Sequence, residues 1–181
     1  GEHARDGELS LAPKPTLSIP LDMPSILLNR YSVQAFNELY YQRIRQAESH
    51  QRVGYESFFY PLDGIRQWNR LYGKRGFLQY QFVIPKAAGL EGMRAILQRI
   101  ATSRRGSFLA VLKAFGTAND NLLSFPAEGY TLALDFKYEA GLLELLSELD
   151  AMVLAYGGRL YLSKDARMSE ATFKHSYPNW T

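Results

Sequence analysis

The chain has no cysteine, which excludes a disulfide framework, a thiol nucleophile and a thiolate metal site. Its three histidines, His3, His50 and His175, are scattered without ligand spacing, so no metal centre is expected. No apolar run approaches the ~20 residues a membrane helix needs. Residues 1–14 are polar and of mixed charge and do not read as a signal peptide. A glycine-rich phosphate loop is also missing: Tyr72-Gly73-Lys74-Arg75-Gly76 and Tyr156-Gly157-Gly158 lack the spacing of either the Walker or the dinucleotide type and read as turns. No serine has a His/Asp partner arrangement, and Asp135 and Asp165 read as a strand-end and a turn residue rather than as a carboxylate pair. These absences lead to the expectation of a soluble, cytoplasmic protein that cannot hold a nucleotide cofactor unaided.

What is present is an ordinary core-forming composition. The 181 residues are 46% hydrophobic and 22% charged, enough for one domain and excluding wholesale disorder. The net charge of +3 is unevenly spread: twelve Lys/Arg face four Asp/Glu between Arg43 and Arg105, against nine and fourteen elsewhere. Such asymmetry suits an anionic partner, although a solvated basic face is the simpler reading.

Residues 1–22, with Pro13, Pro15 and Pro20 and then Pro24 close behind, read as a linker or arm, and residues 23–181 as the domain. Val33, Phe36, Tyr40 and Ile44 predict a helix from Ser32, its N-cap, to about Ala47. Tyr55–Tyr60 reads as extended, and a helix is expected from its cap Asp63 to Tyr72, stopped by Gly73. Four strands follow at Phe77–Ile84, Phe108–Phe115, Thr131–Lys137 and Arg159–Ser163. Between them lie a helix ending near Arg104, carrying Leu90, Met93, Ile96, Leu97 and Ile100 on one face, and a strongly apolar helix at Ala140–Tyr156. Ser169 caps a short closing helix. Strand–helix–strand–strand–helix–strand is the split βαβ, ferredoxin-like order. It predicts an α+β fold with an antiparallel sheet and both helices on one face.

Alternation along the strands sends Leu78, Tyr80, Phe82, Leu132, Leu134, Phe136, Leu160 and Leu162 toward the helices. Gln79, Gln81, Thr131, Asp135 and Tyr161 are left together on the open face. Lys113 shares a side with Leu109, Val111 and Phe115, and joins them if that side is open too. Amide, hydroxyl and amine groups among apolar walls suit a covered binding site. A half-wet sheet face is the plain alternative. Lys164, just past the fourth strand, could stabilise a developing anion if desolvated, or simply pair with Asp165.

Several strings occur together in order: Phe58-Phe59-Tyr60-Pro61-Leu62-Asp63-Gly64, Trp68-Asn69-Arg70-Leu71-Tyr72-Gly73 and Gly76-Phe77-Leu78-Gln79-Tyr80-Gln81-Phe82-Val83-Ile84-Pro85. Further on come Val111-Leu112-Lys113-Ala114-Phe115-Gly116, Leu123-Ser124-Phe125-Pro126 and Gly157-Gly158-Arg159-Leu160-Tyr161-Leu162-Ser163-Lys164-Asp165. From about Ile19 to Pro178 the chain resembles the decaprenylphosphoryl-β-D-ribose 2-oxidase-like branch of the vanillyl-alcohol oxidase-type flavoenzymes. Alditol and aldonolactone oxidases are more distant relatives. The resemblance is to the cap, or substrate-binding, domain alone. It implies FAD held mainly by a separate flavin domain of the same full-length protein, and oxidation of a secondary alcohol on a sugar-like substrate. Polyprenyl-phosphoryl ribose, an alditol and an aldonolactone all remain open.

The resemblance also implies roles. Lys164 and Tyr161 would be catalytic and, with Gln81, approach the flavin. Gln79, Gln81, Lys113, Phe115 and Thr131 would face substrate, with Leu62, Ile65 and Leu109 as apolar walls. Thr131 and Ala133 depart from the mycobacterial pattern, which has asparagine and cysteine there. A short-chain dehydrogenase partner and a peripheral membrane location for a lipid-linked substrate are implied as well. A competing reading is a non-catalytic ferredoxin-like module binding RNA on its open face, but the strands lack aromatic-rich, glycine-interrupted RNA-recognition strings.

Overall fold

In the computed structural model the described residues are 17–24, 29–43, 48, 50, 59–60, 64–164 and 167–181. The fold is built on a four-stranded antiparallel sheet. Its strands are β3 (Phe77–Pro85), β4 (Ser107–Phe115), β5 (Gly129–Lys137) and β6 (Arg159–Leu160), in the spatial order β4-β5-β3-β6. Two short strands, β1 (Leu17–Ser18) and β2 (Ile65–Arg66), pair in parallel as a separate ribbon. The helices are α1 (Arg30–Tyr41), α2 (Gly89–Ser103), α3 (Leu142–Ala155) and α4 (Glu170–Ser176). With α2 joining β3 to β4 and α3 joining β5 to β6, the chain is α+β with the split βαβ connectivity the alternation predicts.

Period-2 alternation in the strands meets period-3.6 faces in the helices, and the two share one core. Tyr80, Phe82 and Ile84 from β3 and Leu132, Leu134 and Phe136 from β5 pack with Met93, Ile96 and Ile100 of α2. Leu142, Leu145, Leu146, Leu149 and Val153 of α3 complete it, with Leu160 of β6. Two residues expected on the α2 core face, Leu90 and Leu97, are exposed. Leu97 instead lines a groove whose opposite wall is Val33, Asn37 and Tyr41 of α1.

Gly157 ends the α3 turn in left-handed geometry, at φ 69°, where a side chain would be strained. Gly158 lets β6 approach β3, since a Cβ there would lie 2.4 Å from the Val83 carbonyl oxygen.

Three local expectations are corrected. The first helix is capped by Asn29, not Ser32: Asn29 Oδ1 accepts from the N–H groups of Tyr31 and Ser32, and Ser32 Oγ accepts from the Asn29 N–H. That reciprocal pair satisfies the orphan donors of the first turn. The helix ends at Tyr41, and residues 44–47 lie outside the described residues.

The helix expected to reach Tyr72 is instead β2, a left-handed Gln67 at φ 57° and a 3₁₀ turn at Trp68–Tyr72, stopped at Gly73 as expected. Long-range partners decide this segment. Leu17 and Ile19 donate to the Gly64 and Arg66 carbonyls, Met23 donates to the Arg70 carbonyl, and Arg70 reaches the Ile19 and Pro20 carbonyls at 3.2 and 2.5 Å. Its cap Asp63 lies outside the described residues, as does most of Tyr55–Tyr60, of which Phe59 is helical rather than extended.

The fourth strand, expected to run to Ser163, stops at Leu160. Tyr161 N–H still reaches the Gln81 carbonyl at 2.9 Å, but Lys164 N–H turns back to the Tyr161 carbonyl at 3.0 Å.

Candidate functional site

Register puts the polar set on one face. Gln79 pairs with Asp135, Gln81 with Ala133, Val83 with Thr131, and β4 aligns Lys113 with Thr131, Val111 with Ala133 and Phe115 with Gly129. Directly opposed residues in an antiparallel pair project to the same side. Val111, Lys113 and Phe115 therefore join the open face.

Leu109 falls in a β-bulge between Ser107 and Ala110 and is half-buried. The Ser107 hydroxyl holds the bulge by donating to the Leu109 carbonyl and accepting from the Asp135 N–H at 2.8 Å. Ile65 is half-buried in the β1–β2 ribbon, outside the four-stranded sheet. Leu62 lies outside the described residues.

The two glutamines have defined polarity. Thr131 Oγ1 donates to the Phe82 carbonyl at 2.8 Å, so its hydroxyl proton is already used. It can only accept from Gln81, whose Nε2 lies 3.1 Å away. That leaves the Gln81 carbonyl oxygen as an acceptor on the open face. Gln79 Nε2 donates to Asp135 Oδ1 at 3.1 Å, and its Oε1 accepts from the Lys164 Nζ at 2.7 Å. Lys164 thus binds Gln79 directly, whereas Asp165, its alternative partner, lies outside the described residues.

Asp135 lies near the end of β5, as expected, two residues before Lys137, and is 3% exposed. Burial raises its carboxyl above the ordinary carboxylate value, and the Gln79 bond and the Lys164 charge offset part of that rise. Asp135 Oδ2 is buried and takes no hydrogen bond. Burial, with the Asp135 charge adding to it, also raises the Tyr72 phenol.

An aromatic row closes one end of the face. Phe125, from the loop between β4 and β5, is 5% exposed; it meets Phe115 edge-on at 5.8 Å and stacks on Tyr161 at 4.4 Å. Alternation within the strands gives no hint of it, because Phe125 sits in a loop. Lys113 is exposed beside this row.

A second polar cluster, also missed by pattern, lies on the helix side. Arg167 grips Asp150 of α3 with two bonds of 2.9 and 2.7 Å, and the Tyr80 hydroxyl donates to the same carboxylate at 2.9 Å. This buried ion pair anchors the chain three residues beyond Lys164. Among the described residues no group of three His, Asp or Glu side chains could hold a metal ion, and no helix is long and apolar enough to cross a membrane.

No protein-family model matches the sequence. The chain is 41% identical over 162 residues, 90% of its length, to the decaprenylphosphoryl-beta-D-ribose oxidase of Mycolicibacterium smegmatis, and covers 35% of that enzyme. It is 29% identical over 186 residues to a protein of Streptomyces coelicolor described as an uncharacterized protein in the mprA 5' region, covering 97% of this chain and 49% of that protein. The chain thus spans a third to a half of the length of these curated relatives. The first match bears out the resemblance carried by the sequence strings: over nine-tenths of its length this chain is a relative of that oxidase.

Proposed function

We propose that this chain is the substrate-binding cap domain of an FAD-dependent oxidoreductase that oxidises a secondary alcohol of a sugar or sugar-like molecule. The observation that carries the reading is the glutamine face itself. It sets an acceptor, the Gln81 carbonyl, and a half-buried cation, Lys164, on one sheet surface closed by Phe115, Phe125 and Tyr161. Few polar groups in a largely apolar wall orient a small ligand rather than merely solvate a sheet.

The donor set fits one edge of a flavin ring and not its phosphates. Lys164 and Tyr161 offer a cation and a hydroxyl to an anionic or carbonyl edge, while no glycine-rich loop in the sequence would cradle a pyrophosphate. FAD, when bound, supplies the hydride acceptor for the carbinol carbon.

The rest of the chemistry belongs to this chain. Gln81 accepts from a substrate hydroxyl, and Lys113, exposed at the rim, steers or holds an anionic group. The aromatic row excludes water from one side. Lys164 stabilises negative charge that develops as the C–H bond breaks, an effect worth more in a site shielded from solvent. Ala133, beside Gln81, shapes which sugar fits, while Thr131, itself buried, acts by fixing the Gln81 amide.

The test is made in the full-length protein. Wild type should carry a flavin whose visible absorbance bleaches on anaerobic addition of a polyol, aldonolactone or ribosyl phosphate substrate. K164A should lower turnover by orders of magnitude with the flavin still bound. A full-length product without flavin, or K164A turnover within a few-fold of wild type, would overturn the reading.

A further inference from the structure

Gln79 stands between two groups of opposite hydrogen-bonding character. On one side is a carboxylate oxygen, Asp135 Oδ1, which accepts whether or not Oδ2 carries a proton. On the other is the Lys164 ammonium, which has donors and no acceptor. A side-chain amide bridges them in one orientation only, with its NH₂ toward Asp135 at 3.1 Å and its carbonyl toward Lys164 at 2.7 Å. Turned over, it would set carbonyl against carboxylate and NH₂ against ammonium.

We propose that Asp135 is a positioning residue: by fixing the amide of Gln79 it holds the Lys164 ammonium over the open face. Its own placement is over-determined. The Asp135 backbone N–H is bound by Ser107 Oγ at 2.8 Å in the β4 bulge, and the residue, third from the end of β5, is 3% exposed. Lys164, by contrast, sits in a turn past a two-residue strand, and the Gln79 bond is what ties its side chain to the sheet. The order of control therefore runs from a buried strand residue, through an amide, to a cation on a turn. Asp135 touches neither substrate nor cofactor in this scheme, because its free oxygen is buried.

The bond itself can be read without flavin or substrate. Only the consequence for turnover rests on the oxidoreductase reading. Seven lysines among these 181 residues make selective ¹³C,¹⁵N-lysine labelling tractable, with the Lys164 signal assigned by its loss in K164R. The wild-type Lys164 ammonium should be protected from solvent exchange and separate from the exposed lysines.

D135L removes the acceptor, frees the amide to turn, and should speed Lys164 exchange at least tenfold while the remaining spectrum is retained. Q79L should do the same. Adding Q79E to D135L supplies an acceptor at either end of the side chain and should restore protection, a rescue that a merely structural role for Asp135 does not give. Should D135L fail to fold, D135S, whose hydroxyl is too short to reach Gln79, carries the same expectation.

Unchanged protection in D135L or D135S overturns the proposal, as does protection that survives Q79L or is absent in wild type. Failure of Q79E to restore it overturns the proposal too. A full-length protein that oxidises no sugar leaves these results intact, so the two readings fail separately.

Discussion

Thr131 is 1% exposed on a face that alternation leaves open, and its hydroxyl holds two bonds at once, one to the Phe82 carbonyl and one from Gln81. T131V keeps the shape and removes both. It should cost about 0.5–1.5 kcal/mol for each bond lost, read as a shift in the urea midpoint. In the full-length protein the same change lets the Gln81 amide turn and should raise KM more than it lowers kcat.

Asp135 makes the complementary case through pH. Burial raises its folded-state value, so the folded protein holds that proton more tightly than the unfolded chain does. The stability this gives is fully present below the unfolded value and is lost as pH rises through the folded one. Urea unfolding across roughly pH 3 to 7 should show wild type losing stability relative to D135N as pH increases. A difference that stays constant with pH would contradict the assignment. The neighbours facing this carboxyl, Lys164 and Gln79, pull its value back without reversing the sign.

The elements show why such residues escape a reading of the sequence. Alternation correctly places Gln79, Gln81, Thr131 and Asp135 on one side, because a strand leaves no other choice once its apolar side is fixed. It does not tell which of them pair, since cross-strand register and a bulge at Leu109 set that. The turn after β6 is harder still. Lys164 binds Gln79 on the open face, and Arg167, three residues on, binds Asp150 of α3 on the helix face. The turn's anchor is the buried Arg167–Asp150 pair, whose side chains are 15% and 7% exposed.

R167M should destabilise by about 3–5 kcal/mol, since it strands a buried carboxylate. The double change D150L/R167M should be near neutral or stabilising. Urea unfolding of the two singles and the double separates these, and an additive result would remove the pair from the account of that turn. The segment at 65–72 makes the opposite lesson: a helix expected from local signals gives way to pairing with Leu17–Ser18, a partner nearly fifty positions away that no local window contains.

On the scale of the molecule, one apolar layer carries the fold. Leu149 of α3 is fully buried at its centre, so L149A should cost about 2–5 kcal/mol. Leu39 of α1 is 72% exposed, and L39S should change stability by less than about 0.5 kcal/mol. Equal effects at the two positions would mean that α1 is part of the core after all. The same contrast locates the site: it sits on the side of the sheet away from α2 and α3, where polar groups can be spent on a ligand because the opposite side supplies the stability.

By itself, the sequence determined the features that arise from periodicity and composition. These are the α+β class, the order of the four sheet strands and the two helices that join them, the face each residue of β3 and β5 takes, and the resemblance to the oxidase family. Period 2 and period 3.6 are properties of single elements, and a reader of one chain can count them. Tertiary structure alone decided which donors meet which acceptors. The amide polarity of Gln79 and Gln81, the stacking of Phe125 on Tyr161, the Arg167–Asp150 anchor and the shortness of β6 each depend on groups distant in sequence. Their bonds are directional and short-ranged, so they exist only once the hydrophobic layer has brought the partners within reach.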